Sequence, residues 1–155
     1  ALPILFLIGG YDSSNYFNDV WSTSDGSNWT LENSNAIFTP RADHACGVIS
    51  NKLWLIGGYT NDIYSTTNGS DWIQESPTSA LPNIANVKTY NYSNALWIIT
   101  SGATNNIWRS TDGLNWNFIN DTGYELETYT ANIIFENKMW IINGATTNNA
   151  ISIYE

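Results

Sequence analysis

The sequence predicts an all-β fold built from repeated antiparallel units, and three observations lead to that prediction. First, one asparagine position recurs as Asn18, Asn61, Asn105 and Asn149, with steps of 43, 44 and 44 residues. Second, the apolar runs are short, rich in β-branched and aromatic residues, and broken by Gly, Asn, Asp and Ser. Third, no run has the 3.6-residue period of an amphipathic helix. Such a repeat is typical of one four-stranded blade of a β-propeller.

The composition indicates one ordered domain and excludes some kinds of partner. Charged residues make up 12% of the 155 residues and aromatic residues 14%, which argues against disorder. The net charge is -9, and five scattered bases cannot neutralise a run of phosphates, so we expect no nucleic-acid binding. No apolar run is long enough to cross a membrane as a helix, and we expect no membrane insertion. Cys46 is the single cysteine, so no intrachain disulfide forms; the compartment stays open, with an extracellular location slightly favoured.

The chain reads as two full blades and two partial ones, about 3.5 blades in a single domain over residues 1–155. We label the predicted strands of each blade a to d from the axis outward, and no helix is expected. The approximate blades are 1–33, 43–76, 84–120 and 128–155. The predicted b strands are 4–8, 53–57, 96–100 and 139–142, and the c strands are 18–23, 61–66, 105–110 and 149–154. The d strands are 28–32, 71–75 and 115–119, and the a strands are 44–50, 85–91 and 129–135, fourteen strands in all.

Glycine dipeptides separate the predicted c and d strands. They are Asp25-Gly26, Asn68-Gly69 and Asp112-Gly113. This chemistry favours a two-residue type I′ turn, which needs positive φ at both central residues. The predicted d–a loops contain Pro40, Pro77 and Pro82, as expected for connections between blades.

The second blade resembles a kelch repeat. That family's pattern is Pro-Arg, then His, an apolar strand, a double glycine and a closing Trp, here the stretch 40–72. The resemblance implies a propeller fold with loops that serve recognition; the third and fourth blades keep the period but not these markers. The residues it implies as structural markers are Gly9, Gly10, Gly57, Gly58, His44, Trp29, Trp72 and Trp116. We expect the repeated tryptophans to belong to the core.

A second resemblance concerns the segments 22–29 and 110–116. Each looks like a shortened Asp box, the Ser-x-Asp-x-Gly-x-x-Trp hairpin of sialidase-type propellers, with one residue missing between Asp and Gly. In that family the motif is a folding device remote from the active site. The resemblance therefore implies architecture and not hydrolysis.

Catalytic chemistry has little support in the sequence. His44 is the only histidine, and Cys46 lies two residues on, so both side chains point to one face of a strand. A Cys-His pair is conceivable, but a structural histidine and an inert buried thiol are the favoured interpretation. One His and one Cys cannot form a zinc cage, and no pair among the 14 acids stands out for glycosidic chemistry. We expect no metal, no cofactor and no enzymatic activity.

Loop aromatics outside the repeat pattern are the better candidates for ligand contact. In a propeller the b–c and d–a loops share one face, and we expect a protein partner to bind there. The alternative is a carbohydrate-binding propeller that uses loop aromatics and asparagines. The candidate residues of this face are Asp12, Tyr16, Phe17, Arg41, Tyr59, Tyr124 and Glu125, with Tyr11 beside them.

The two ends of the repeat pattern do not combine into one complete blade. The pattern starts at strand b and stops at strand c, so joining the ends supplies two b and two c strands. An open arc would expose strand edges and an apolar face. We therefore expect either a longer chain or, slightly favoured, self-association of two or more copies.

Overall fold

The computed structural model describes residues 5–58, 60–77, 81, 87–100, 106–120, 131–136, 138–142 and 150–153. Within these ranges fourteen strands form four antiparallel sheets, so the predicted all-β fold of three- and four-stranded units is confirmed. No helix in the same ranges is long and apolar enough to cross a membrane. Sheet 1 contains β1 (Leu5–Tyr11), β2 (Tyr16–Thr23) and β3 (Thr30–Asn33), and sheet 2 contains β4 (His44–Ile49), β5 (Lys52–Gly57), β6 (Ile63–Thr66) and β7 (Ile73–Glu75). Sheet 3 contains β8 (Val87–Tyr92), β9 (Ala95–Thr100), β10 (Ile107–Ser110) and β11 (Asn117–Asn120), and sheet 4 contains β12 (Ala131–Phe135), β13 (Lys138–Ile142) and β14 (Ala150–Ile153).

Each sheet is a meander in which strands pair in chain order. The strands β5 and β9 are the second strands of sheets 2 and 3 and are almost wholly buried. Both consist of a nearly continuous apolar run. A strand that is covered on both faces has no solvent-exposed side on which polar side chains could be hydrated. The equivalent strand β1 of sheet 1 is less buried, with alternate residues exposed.

Successive sheets stack face to face around three apolar clusters. Alternate residues of β5 face opposite neighbours: Leu55 lies in the cluster with sheet 1, and Trp54 and Ile56 lie in the cluster with sheet 3. A third cluster joins sheets 3 and 4, where Met139 packs beside Trp97. The first strands of sheets 2 and 3, β4 and β8, also lie side by side, since Thr89 and Asn91 donate side-chain hydrogen bonds to carbonyls of β4.

The type I′ turns lie between the first and second strands, and the prediction for the Gly dipeptides is wrong. Ser50-Asn51 joins β4 to β5 with φ of 52° and 58°, and Ser93-Asn94 joins β8 to β9 with φ of 50° and 53°. Positive φ at both central residues is what a type I′ turn requires, and asparagine tolerates that conformation. At the Gly dipeptides only Gly26, Gly69 and Gly113 have positive φ.

The connections that contain the Gly dipeptides are longer loops held by side chains. Asp112 Oδ1 accepts hydrogen bonds from the amides of Leu114 and Asn115 at 2.9 and 2.8 Å, and Asn115 Nδ2 donates to Asp112 Oδ2 at 2.6 Å. Burial acts to raise the pKa of Asp112, but these bonds outweigh it and lower the pKa to about 2. The same network forms at Asp25 and Asn28, and with the two residue types exchanged at Asn68 and Asp71.

The tryptophan that follows each of these loops precedes the outer strand and does not open it. Trp72 and Trp116 are 8% and 4% exposed, and their indole nitrogens donate to the carbonyls of Gly69 and Gly113 at 2.9 and 3.0 Å. Trp29 is 39% exposed, so its assignment to the core is wrong. The difference arises because Trp72 and Trp116 each pack on the preceding sheet, whereas sheet 1 has no described sheet before it.

The loop glycines of sheets 2 and 3 lie directly against an aromatic ring of the preceding sheet. A β-carbon added to Gly69 would lie 2.5 Å from a ring carbon of Phe6, and one added to Gly113 would lie 2.3 Å from the ring of Trp54. Phe6 and Trp54 hold the same position in consecutive sheets. A β-carbon on Gly26, the equivalent glycine of sheet 1, would meet nothing within 4 Å.

We predict that Gly113→Ala lowers the free energy of unfolding more than Gly26→Ala. Both glycines have positive φ, 82° and 77°, so each alanine carries left-handed strain of about 1 kcal/mol. Only Gly113 faces a buried ring, and overpacking there adds about 1–3 kcal/mol. Urea unfolding of both variants at low protein concentration measures the difference. Equal losses would contradict the sheet contact.

Candidate functional site

The hairpin that joins β1 to β2 carries an exposed pair of tyrosines at the predicted ligand face. The register pairs Tyr11 with Tyr16 at the end of the two strands. Their ring centroids are 4.7 Å apart with planes at 31°, and about half of each side chain is exposed. The strands run further than the sequence predicts, so Tyr16 and Phe17 lie on β2 and not in a loop. We call Tyr11, Asp12 and Tyr16 the aromatic tip.

Asp12 organises the turn at this tip. Its Oδ1 accepts hydrogen bonds from the amides of Ser14 and Asn15 at 3.0 and 2.8 Å. Ser13 has a φ of 78°, a conformation that a serine adopts when the turn around it is held in place. The backbone hydrogen bonds from Asn15 and Ser14 lower the pKa of the Asp12 carboxyl. The tip therefore presents two ordered rings beside a carboxylate that is ionised at neutral pH.

The base of the hairpin is fastened to the segment that leads into sheet 2. The Gly10 amide donates to the Arg41 carbonyl at 2.9 Å, and the Arg41 amide donates to the Phe17 carbonyl at 2.9 Å. A β-carbon on Gly9 would lie 2.9 Å from both carbonyl oxygens, which explains why this position is glycine. The pairing of β1 with β2 shifts register here, so the double glycine forms a bulge that brings the two segments together.

Arg41 was expected on the ligand face, but its side chain is buried inside sheet 2 and is only 2% exposed. Its guanidinium donates to both carboxylate oxygens of Asp62, at 2.6 and 2.9 Å, and to the Gly57 carbonyl at 2.8 Å. The same group also donates to Thr39 and Thr60. A buried arginine needs such partners because an unpaired charge is costly away from water. Asp62 is the second residue of the recurring run that begins with Asn61, but its position in the sequence does not identify it as the partner of Arg41.

The charge pair perturbs the carboxyl group in a definite direction. Burial acts to raise the pKa of Asp62, but hydrogen bonds from Arg41 and Thr60, together with the positive charge of Arg41, lower it from 3.8 to about 2. The guanidinium carbon also lies 5.8 Å from the ring centroid of Phe38 and 5.3 Å from that of Tyr64. Arg41 thus joins the loop before sheet 2 to the interior of that sheet.

His44 and Cys46 occupy β4 next to the edge of sheet 1. Burial, followed by the charge of Arg41, lowers the pKa of His44, and its Nδ1 is buried with no hydrogen-bond partner. Burial raises the pKa of the Cys46 thiol to about 12. A nucleophilic cysteine needs a lowered thiol pKa, so this pair lacks the property that would activate it.

Two depressions lie away from the aromatic tip. One, of about 680 Å³, lies beside the Ser50-Asn51 and Ser93-Asn94 turns, at the opposite ends of the strands. The other, of about 430 Å³, lies between β1 and β4 and is lined by Leu5, His44 and Gly47 among others. Neither is lined by a residue of the aromatic tip. In the described part of the chain no three His, Cys, Asp or Glu side chains come together as a metal site.

Three of the predicted ligand-face residues, Tyr59, Tyr124 and Glu125, lie outside the described residues. Of the other four, the hairpin brings Asp12 and Tyr16 together, Phe17 lies one residue further along β2, and Arg41 lies beneath. The role of the exposed residues in binding stays a prediction.

We predict that Arg41→Met lowers the free energy of unfolding by about 3 kcal/mol, because it leaves the Asp62 carboxylate and the Gly57 carbonyl without their donor. The matched control is Lys52→Met, which removes a more exposed pair with Glu75 and should cost less than about 1 kcal/mol. Thermal and urea unfolding measure both. A loss at Arg41 no larger than that at Lys52 would show that the buried pair does not hold the sheet.

The Asp62 pKa also predicts acid sensitivity. Because the folded-state pKa is lowered, the stabilisation is complete above the unfolded value of 3.8 and is lost as pH falls toward about 2. Asp62→Asn should therefore destabilise the protein at pH 7 and reduce the loss of stability between pH 4 and 2. Chemical unfolding across that range tests this, and unchanged pH dependence in the variant would contradict it.

Comparison with known proteins supplies no family for this chain. No model of a known protein family matches it, and no curated protein matches it significantly.

Proposed function

We propose that the chain is a kelch-like β-propeller that acts as a non-catalytic binding module, with a protein partner at the face formed by the b–c and d–a loops. Four features support the propeller: the regular repeat, meander sheets paired in chain order, face-to-face stacking of successive sheets, and adjacent first strands β4 and β8. Radial repetition of small sheets is the architecture that combines them.

The observation that carries the binding proposal is the aromatic tip. Tyr11 and Tyr16 of sheet 1 are about half exposed, whereas most of the large apolar side chains described in sheets 2 and 3 are buried. Ordered tyrosines lose little conformational freedom on binding and are enriched among the residues that dominate protein interfaces. The Asp12 turn and the Arg41 backbone bonds hold the tip in place before any partner arrives.

The exposure of both rings at the tip favours a macromolecular partner. Sites for small molecules are concave and bury most of the ligand, whereas the two depressions described above lie elsewhere. A protein partner can cover the exposed hairpin and desolvate both rings.

A carbohydrate-binding function is the second candidate, and the composition of the tip favours it. Two flat rings stand beside the Asp12 carboxylate and the Asn15 amide group, a combination that suits the apolar face and hydroxyl groups of a sugar. The two functions differ in the ligand that the same residues would bind.

The test compares the chain with the double variant Tyr11→Ser/Tyr16→Ser and with the control Ile73→Ser, an exposed residue on β7. The tip variant should lose less than about 1 kcal/mol of stability, because both rings are exposed. Each of the three proteins is used for quantitative affinity capture from aliquots of one cell extract and is also applied to a glycan array.

We expect one protein to be captured by the parent chain and the control, to be lost with the tip variant, and to bind directly when purified. Sugar binding lost only in the tip variant would replace the proposal with the lectin alternative. A purified partner that binds the tip variant as well as the parent would contradict any role for the tip.

A further inference from the structure

The outward face of sheet 1 has the composition of a buried interface between sheets. The side chains of Leu7, Trp21 and Leu31 form one row across β1, β2 and β3 in register. Leu7 has an equivalent in each of the next two sheets. Leu55 of sheet 2 is fully buried against sheet 1, and Ile98 of sheet 3 is fully buried against sheet 2. Leu7 is 55% exposed. Among the three sheets for which the structure describes its burial, this position is therefore buried twice and exposed once.

The loop before β3 repeats this contrast. Gly69 and Gly113 are buried because each lies against an aromatic ring of the preceding sheet, while Gly26 is exposed and has no neighbour within 4 Å of its β-carbon position. Trp29 is exposed where its two equivalents are buried. The empty space over Gly26 therefore corresponds to the position that an aromatic ring of the preceding sheet occupies over Gly69 and Gly113.

We propose that this outward face, defined by Leu5, Leu7, Trp21, Trp29 and Leu31, binds the fourth sheet of a second copy of the chain. The two internal contacts, sheet 1 with sheet 2 and sheet 2 with sheet 3, specify the geometry of the contact. The proposal depends on this packing and not on the ligand that the aromatic tip binds.

The fourth sheet carries the matching residue. Phe6, Trp54 and Trp97 hold one repeat position, and Trp140 holds it on β13. Met139 is fully buried against sheet 3, and successive strand residues point to opposite faces, so Trp140 faces away from sheet 3. In the second copy this ring takes the place over Gly26 that Phe6 takes over Gly69.

We take sheet 4 of a second copy as the occupant because Trp140 supplies the ring that the place over Gly26 lacks within one copy. Leu5 and Leu7 remain more than half exposed with sheets 1 to 4 in place. The contact is head to tail, since it joins different surfaces of the two copies, and such contacts either close into rings or extend into filaments. The described residues of two copies contribute eight sheets, within the four to eight blades of known propellers.

The first experiment measures the mass of the intact chain by sedimentation and native mass spectrometry across a range of protein concentrations. We expect a multiple of the 17.3 kDa chain mass. Because each copy carries a net charge of -9, added salt should strengthen the association. Leu7→Asp should return the protein to 17.3 kDa with an unchanged circular dichroism spectrum, since Leu7 is exposed within one chain. Ile73→Asp, at a similarly exposed strand position outside the outward face, should leave the assembly intact.

A mixing experiment tests the head-to-tail arrangement. Leu7→Asp damages only the sheet 1 surface, and Trp140→Glu damages only the sheet 4 surface, so each variant alone should be monomeric. Mixed together they retain one intact pair of surfaces and should form a heterodimer. If Trp140→Glu does not fold, the Leu7→Asp variant mixed with labelled parent chain should cap the assembly and reduce its mass.

Each of the following results would overturn the proposal. In the mass measurement, the contradicting results are a monomer at every concentration and an assembly whose mass Leu7→Asp does not change. In the mixing experiment, it is two folded single variants that fail to combine. In the capping test, it is a parent assembly whose mass is unaffected by the Leu7→Asp variant. A symmetric dimer that joins two sheet 1 faces would appear as a dimer in Trp140→Glu and would also overturn it.

Discussion

The close approach of a glycine in one sheet to an aromatic ring in the preceding sheet constrains the rest of the structure. Gly69 on Phe6 and Gly113 on Trp54 leave no room for a β-carbon, so the two sheets can stack at one distance and in one register. The loop around each glycine is held by a carboxylate–amide pair, which makes the contact rigid. Two of the three apolar clusters, those between sheets 1 and 2 and between sheets 2 and 3, accompany this contact.

Arg41 connects this scaffold to the candidate site. Its backbone holds the base of the β1–β2 hairpin, and its guanidinium is bound by Asp62 inside sheet 2. The aromatic tip is therefore positioned by the same residue that ties two sheets together. A hairpin anchored in this way presents Tyr11 and Tyr16 to solvent with little freedom to lose on binding, which is why the tip carries the proposed function.

The sequence predicted the all-β meander because period, apolar runs and turn residues all act locally. It misplaced the type I′ turns, because Asp-Gly and Asn-Gly are the strongest signals for such turns, whereas the turns observed are Ser50-Asn51 and Ser93-Asn94. Trp29 was assigned to the core from its repeat position, but burial depends on a neighbouring sheet and not on the residue alone. Arg41 was placed at the surface because its partner, Asp62, is 21 residues away and no local pattern reveals the pair. Asp12 and Tyr16 were predicted as ligand-face residues because they lie outside the repeat pattern, and the structure places them on one hairpin.

The central claim is that successive sheets are related by one repeated rotation, as in the proposed propeller. The most direct test is a set of spin-label distances between Thr30, Ile73 and Asn117, the equivalent first residues of β3, β7 and β11, all exposed. The labels are placed in pairs in a Cys46→Ala background and diluted with unlabelled chain. The account predicts equal 30–73 and 73–117 distances and a 30–117 distance clearly shorter than their sum. Unequal steps, or a 30–117 distance equal to the sum, would contradict it.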